Sequence, residues 1–492
     1  MTGSEHSDPS SGRGLRRLLG AAALMVWFVV AARTQADPDL WGHVRFGLDM
    51  LETRSLPSVD PYSFTQDVPW INHEWLSELQ MGLAWAAGRS AGLAALKGAL
   101  VLGAFWLIWR GLSGTDVAAR MGVMLVVALG TVRMVQTLRP QLWSLLCMVL
   151  LCRALLADDR RARRWLPALF VVWVNVHGGW IVGLGALVVW SGVEAWTTPA
   201  RRAHAAWWLA ASIAATLVNP HGWELWGFIA ATVRMTRAIG EWQPLWTVPA
   251  LIWVPWVLAL AAAAWLATGA ARDRWKAVAV LAMLAYAAVR VERLTPFFVV
   301  AAVMFAAPRL RRQWPSLGRA DLVSGARQAV AAGVLAVGLA IALVGWVGRS
   351  SFSCIPVAGD WAPDPVAARA LDTAKPGRLV VFFDWGQFAL WHWGPNLRVS
   401  MDGRRETVYS DGRLDEHAAI LAGTPTGIAA LGRWGAEYVW LPASSQATEA
   451  WLAAHGYRVD VRTGQSFVAV RADLPALLAP SGRLDARRCF PA

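Results

Sequence analysis

The chain has 492 residues, 56% of them hydrophobic and only 16% charged, whereas soluble domains carry about 25% charged residues; an ordinary soluble protein is excluded. A net charge of +13 would suit a nucleic-acid binder, but the arginines cluster between apolar runs, where they orient helices across a membrane, so nucleic acid is excluded as a partner. The 32 tryptophans flank many of those runs, as rings seated at the lipid–water boundary do.

In chain order, residues 1–17 are polar, rich in Ser and Gly, and end in Arg13, Arg16 and Arg17, which predicts a disordered cytoplasmic leader. Leu18–Ala32 is the first apolar run and the predicted first span. The same basic start, short apolar core and Thr34-Gln35-Ala36 also read as a cleaved signal peptide. On either reading the next stretch lies outside the cytosol. That stretch, Asp37–Trp75, holds Asp37, Asp39, Asp49, Glu52, Asp60, Asp67 and Glu74 with His43 and His73, against only Arg45 and Arg54. Ionisable groups beside a bilayer are costly to hold and mark function, so the loop over residues 34–90 is predicted to be the acidic half of an active site. Within it, Glu74–Ala87 places Leu76, Leu79, Leu83 and Ala87 on one face of a helix too polar to span, which predicts a surface-lying helix.

Further spans are predicted at Leu93–Trp109, Val117–Val135, Leu142–Leu156, Leu166–Asn175, Trp180–Trp196, Ala205–Val218, Ala250–Ala267, Trp275–Val289, Leu294–Ala307 and Gln328–Val347, about eleven in all over residues 18–348. With the surface helix not crossing, Arg160, Arg161, Arg163 and Arg164, then Arg201 and Arg202, then Arg272, Arg274 and Lys276, then Arg309, Arg311 and Arg312 all fall on the side of the amino terminus, as basic loops should. The fold class is therefore a polytopic α-helical membrane protein with its amino terminus in the cytoplasm. Residues 349–492 form a small α/β domain outside it.

In that domain helices are expected at Pro365–Ala374, Leu414–Leu421 and Ala447–His455. Strands are expected at Arg378–Phe383, Leu397–Met401 and Tyr438–Leu441, and a closing hairpin at Tyr457–Arg462 and Ser466–Arg471. Cys354 and Cys489 bracket it and could pair outside the cytosol, whereas Cys147 and Cys152 lie inside an apolar run and read as packing residues.

This topology gathers the polar residues of the loops on one face: Arg133, Gln136 and Arg139; His177 beside Trp180; Asn219, His221 and Glu224; Glu241; and Arg290, Glu292 and Arg293. Carboxylates can act as a general base or bind a metal, and arginines can neutralise a phosphate. A base and a phosphate clamp at the lipid boundary are what group transfer from a lipid-linked phosphate requires.

Asp37–Trp75 resembles the first outer loop of the GT-C superfamily, membrane glycosyltransferases that use polyprenyl-phosphate-linked sugars. Asp37-Pro38-Asp39 with His43 and Arg45 is similar to the opening of the oligosaccharyltransferase catalytic subunit. Phe382-Phe383-Asp384-Trp385-Gly386 resembles the acceptor-recognising W-W-D-Y-G motif of that subunit, with Arg398, Asp402 and Arg404 downstream. Both leading tryptophans are phenylalanines here and the tyrosine is Trp385, so the asparagine-sequon acceptor is not implied. Asp37-Pro38-Asp39-Leu40-Trp41, His73-Glu74-Trp75 and Asp402-Gly403-Arg404 also resemble motifs of bacterial GT-C-like proteins.

The resemblance implies a multi-pass inner-membrane glycosyltransferase with a periplasmic carboxy-terminal domain. Asp37, Asp39, His43, His73 and Glu74 would be catalytic; Arg139, Arg290 and Arg293 would hold the donor phosphate; Asp384, Trp385 and Arg404 would meet the acceptor. His177, His221 and Glu241 would line the same face, and a divalent metal, Mg or Mn, could be held by Asp37, Asp39 and Glu241. The partners implied are a polyprenyl-phosphate-linked sugar, membrane lipid, and a glycan, lipid or protein acceptor. Two other readings remain: a transporter or flippase of a lipid-linked or polar solute, and a non-catalytic GT-C-like scaffold.

Overall fold

The computed structural model describes residues 31–57, 59–157, 163–234, 242–269, 274–315, 352–357, 359, 362–478 and 489–491. The expected leader, nearly all of the first span, Arg160, Arg161, Glu241, Arg272 and the last span Gln328–Val347 lie outside the described residues.

Eleven helices of the larger part are described: α1 (Asp39–Thr53), α2 (Trp75–Gly111), α3 (Val117–Val135), α4 (Gln141–Leu156), α5 (Leu166–Val176), α6 (Trp180–Thr197), α7 (Arg202–Ala215), α8 (Glu224–Arg234), α9 (Val254–Ala267), α10 (Arg274–Arg290) and α11 (Thr295–Gln313). The nine predicted spans between Leu93 and Ala307 all fall on them. Among the described residues, four helical stretches are long and apolar enough to cross a membrane: Trp75–Gly111, Trp180–Thr197, Ala250–Ala267 and Glu292–Gln313.

α2 leaves helical geometry at Gly88 and Arg89, the latter with φ 50°. This break divides the expected surface helix from the span behind it. Every residue of α11 from Thr295 to Ala307 is buried, so this helix is the axis of the bundle; an all-round apolar run has no polar face to turn outward. The acidic segment Asp39–Thr53 is itself helical and packs on the first half of α2.

The tail contains β1 (Ile355–Pro356), α12 (Pro365–Leu371), β2 (Gly377–Val381), α13 (Gly386–Trp393), β3 (Leu397–Val399), α14 (Asp411–Ala422), α15 (Pro425–Trp434), β4 (Tyr438–Pro442), α16 (Gln446–Ala454), β5 (Tyr457–Arg462), β6 (Ser466–Arg471) and β7 (Cys489–Phe490). Five strands form a sheet in the order β3-β2-β4-β6-β5, with β2 parallel to β3 and β4, and β6 antiparallel to β4 and β5. Leu379, Val380 and Val381 are fully buried, as the apolar run implies for a strand covered on both faces.

Two tail helices were missed by the sequence reading, α13 and α15. For α15 the signals are local: Thr424 Oγ1 accepts the Gly427 N–H at 3.3 Å, Pro425 occupies the first turn, and Gly435 ends the helix at φ 56°, a proline-in, glycine-out pattern.

The tail clasps the acidic loop from two sides. Tyr62–Phe64 lies along the outer edge of β3, with Val399 N–H donating to Tyr62 O (3.0 Å) and Phe64 N–H to Val399 O (3.1 Å), which covers an otherwise open edge. On the other side Cys354 and Cys489 form a disulfide, β1 pairs with β7, and Ala36 N–H donates to Pro356 O at 2.9 Å.

Candidate active site

The hub lies two residues before α1. Asp37 is fully buried and its Oδ1 accepts the Leu40 N–H at 3.1 Å, holding the first turn. Gln35 pairs with Thr137, and this register delivers Arg139 to the acids. Its Nε bonds to Asp37 Oδ2, and its Nη2 lies 3.3 Å from Asp39 Oδ2. The Asp39 side chain is 27% exposed while that of Asp37 is closed off, so of the two acids Asp39 faces open space. Burial pushes the Asp37 carboxyl up and its neighbour Asp39 adds to that, against the pull of Arg139.

The tail adds a third carboxyl. Asp384 lies in a turn between β2 and α13, where burial and the charge of Asp39 push it up to about 6 in spite of Arg139 and Arg405. Gln387 anchors this docking: its Oε1 accepts the Gly42 N–H at 3.1 Å. The fit is close: a Cβ at Gly42 would stand 2.2 Å from Gln387 Oε1 and one at Gly403 2.2 Å from Asp39 Oδ1, so a side chain at either position would displace these polar ends from their places in the site.

One turn along α1 a second cluster begins. His43 Nδ1 lies 3.0 Å from Glu78 Oε1 on α2, and Glu78 Oε2 accepts the Asn72 Nδ2–H at 2.6 Å. Burial opposes charge on His43, but the bond to Glu78 and the fields of Glu74, Glu78 and Asp39 outweigh it and push the imidazole up to about 9. Glu74 Oε1 is 3.7 Å from both His73 Nε2 and His177 Nε2. His177 Nδ1 accepts the Gly179 N–H at 3.0 Å and faces Ser144 Oγ at 2.8 Å, so Nε2 carries the proton and points toward Glu74. Burial, with Arg293 adding to it, holds His177 well below its ordinary value. His221 Nε2–H donates to Asn72 O at 3.3 Å.

The sequence-predicted residues therefore separate by position. Asp37, Asp39, Arg139 and Asp384 converge, and beside them lie His43, His73, Glu74, His177 and His221, with Arg293 near enough to act on His177. Arg290 ends α10 and makes none of these ion pairs among the described residues. Trp385 and Arg404 depart from the expected acceptor role. The Trp385 ring is buried and stacked on Trp440 (4.8 Å between centroids), in the domain core. Arg404 is buried too, bonded through both terminal nitrogens to Asp60 (2.7 and 2.9 Å) and to Asp402 (2.7 Å), and it lies 4.8–5.2 Å from the rings of Phe46, Tyr62 and Trp70. It locks the tail to the loop.

The expected metal set also shifts. Asp37 and Asp39 hold a guanidinium, Glu241 lies outside the described residues, and among the described residues the group whose donor atoms fall within 4.8 Å of one another is His43, Glu74 and Glu78. One imidazole and two carboxylates suit a divalent transition ion better than Mg. Glu78 was not singled out from the sequence, although it follows Glu74 by four residues, the spacing that puts both on one helix face.

Beside Glu74 and His177 an open, mostly apolar groove of about 460 Å³ runs between Trp75, Val171, Val172, Leu217 and Val218. Asn175 and Asn219 also line it, and Trp75 Nε1–H donates to Asn175 Oδ1 at 2.8 Å. The far end of α6 lies about 27 Å away by its 18 residues. There Glu194 bonds Arg163 and faces Arg201 at 3.5 Å and Lys276 at 3.6 Å, so these three predicted inner-loop cations meet at the end opposite the site.

No known family matches the chain by sequence, and no curated protein is similar to it in sequence. Solved structures do share its fold. ArnT from Cupriavidus metallidurans, bound to undecaprenyl phosphate, is 13% identical with TM-score 0.54 over 95% of this chain and 99% of that one. The arabinofuranosyltransferase AftD from Mycobacteria is 15% identical with TM-score 0.51 over 93% and 42%. The Archaeoglobus fulgidus oligosaccharyltransferase is 10% identical with TM-score 0.56 over 94% and 75%.

Proposed function

Since the chain carries the fold of the GT-C membrane glycosyltransferases, we propose that it transfers a sugar from a polyprenyl-phosphate-linked donor to an envelope acceptor. The reaction takes place at the outer face of the inner membrane. The observation that carries this reading is the meeting of Asp37 and Asp39 with Arg139, which lies 102 residues further along, and with Asp384 from the tail. In this reading the amino terminus is cytoplasmic, about eleven spans cross the bilayer, and the tail is periplasmic. The basic end around Glu194 then faces the cytoplasm, in keeping with the usual charge bias.

The groove beside Trp75 takes the donor's apolar chain, and Val172, Leu217 and Val218 of its lining are exposed, as entry from lipid requires. The solved ArnT holds such a lipid, undecaprenyl phosphate. An acceptor hydroxyl attacks the anomeric carbon, the bond from that carbon to the phosphate oxygen breaks, and the polyprenyl phosphate leaves with the electron pair. The hydroxyl proton passes to Asp39, the more exposed acid. Asp37 and Arg139 orient Asp39, and Arg293, beside His177, faces the phosphate charge. His43, on giving up its proton, would with Glu74 and Glu78 hold a divalent ion, which when bound supplies positive charge for the departing phosphate. Asp384 meets the acceptor from the tail side.

The test compares envelope glycans and glycolipids by mass spectrometry in a deletion strain carrying wild type, Asp39→Asn or Asp37→Asn. Wild type should restore a species that both variants leave absent, at normal membrane levels of each protein. Restoration by both variants would remove the catalytic assignment.

A further inference from the structure

A second cavity flanks the His43–Glu78 cluster, with Asn72 in its lining. It encloses about 180 Å³ between α1 and the loop that follows it, walled by Phe46, Met50, Tyr62 and Trp70, with Asp49 and Asn72 as polar groups and Thr53 and Ser55 among its lining. We propose that this cavity is an acceptor subsite that holds one neutral sugar ring, a proposal that rests on the transferase reading.

Position is the first argument. His43, Phe46, Met50 and Thr53 follow at spacings of three, four and three residues, so they form one stripe along α1 that leads from the cluster into the cavity. Asn72 belongs to both, since it lines the cavity and donates to Glu78 at 2.6 Å. Size is the second. Drug-sized ligands occupy roughly 300–1,000 Å³, so a cavity of 180 Å³ fits a single ring.

Chemistry is the third. An apolar wall with a few fixed polar groups suits a molecule with a C–H face and a hydroxyl edge. Asp49 Oδ2 already accepts from Arg45 Nε at 2.9 Å and from Tyr62 OH at 2.5 Å, so its charge is compensated. Asp49 is the one charged residue of the lining and is already paired with Arg45, so a charged occupant finds no unpaired counter-charge there, which leaves a neutral hydroxyl-bearing ring. The walls are preformed: Tyr62 N–H donates to Asp60 Oδ1 at 2.8 Å, Asp60 is bonded to Arg404, and Arg404 lies against the Phe46, Tyr62 and Trp70 rings. A site already shaped loses little freedom on binding.

Saturation-transfer NMR on the detergent-solubilised full chain tests this with glucose, galactose, mannose, arabinose and N-acetylglucosamine, each up to about 50 mM. At least one sugar should bind saturably. Met50→Trp, which fills the cavity, should weaken that binding by about tenfold or more, and Asp49→Asn by a smaller factor. Undecaprenyl phosphate binding, measured on the same samples, should persist in Met50→Trp and show that the variant is folded. No saturable binding by any sugar, or equal binding by wild type and folded Met50→Trp, overturns the subsite. Saturable binding that Met50→Trp removes upholds it even if envelope analysis finds no transfer, in which case the transferase reading alone falls.

Discussion

His417 on α14 is 4% exposed, and neither ring nitrogen has a hydrogen-bond partner among the described residues. Burial pushes this imidazole down from its ordinary 6.5 to about 4, because a proton there would place an unpaired charge inside the domain. The unfolded chain thus binds the proton first as pH falls. His417 therefore leaves stability intact above pH 6.5 and lowers it progressively between 6.5 and about 4. Replacing it with a side chain that cannot titrate, His417→Leu, should flatten that slope and gain roughly 3 kcal/mol at the acid end. Thermal unfolding of both proteins from pH 7 to pH 4 reads this, and parallel slopes would refute it. Arg404 shows the opposite solution to a buried charge. Burial alone would raise the carboxyl of Asp402, but Arg404 outweighs it and holds that group below its ordinary value.

At the scale of elements, the crossing of α1 and α2 decides whether the site exists. The two helices touch through Gly47 and Gly82: a Cβ at Gly82 would stand 2.6 Å from the Gly47 carbonyl carbon, and one at Gly47 would stand 2.0 Å from Glu78 O. Only hydrogen at both positions lets His43 reach Glu78. Gly82→Val should therefore separate the helices, cost about 1–3 kcal/mol and remove complementation in the deletion strain. Gly88→Ala at the break in α2, where no atom lies within 4 Å, should change stability by no more than about 0.5 kcal/mol. Equal effects of the two substitutions on unfolding and complementation would show that the crossing does not set the site.

At the scale of the molecule, the tail finishes the acidic site. The disulfide joins residues 135 apart and fixes β7 against α1: Trp41 Nε1–H donates to Pro491 O at 2.8 Å, and the Phe490 ring packs on Trp41 and Trp85. Through β1 the same link holds Ala36, the residue before Asp37. The double variant Cys354→Ser with Cys489→Ser should lose about 2–4 kcal/mol, and hydrogen exchange should rise over residues 36–42. Unchanged protection there would mean that the tail docks without the link.

Much of this architecture is written locally. Helix periods, the basic gaps between apolar runs, the closing hairpin and the crowding of acids after the first run depend on neighbours a few residues apart, so they are legible in the chain alone. The same holds for the break near Gly88, where the polar stripe ends. Which acid meets which base is not local. Arg139 reaching Asp37, Glu78 joining His43, Gln387 fitting between Gly42 and Gly403, and Arg404 turning inward to Asp60 all depend on contacts between segments 35 to 345 residues apart. The resemblance to an acceptor motif placed Trp385 and Arg404 at an acceptor face because a likeness of residues cannot say which way a side chain points. Packing decided that, since a ring or guanidinium enters the interior wherever its partners already satisfy it.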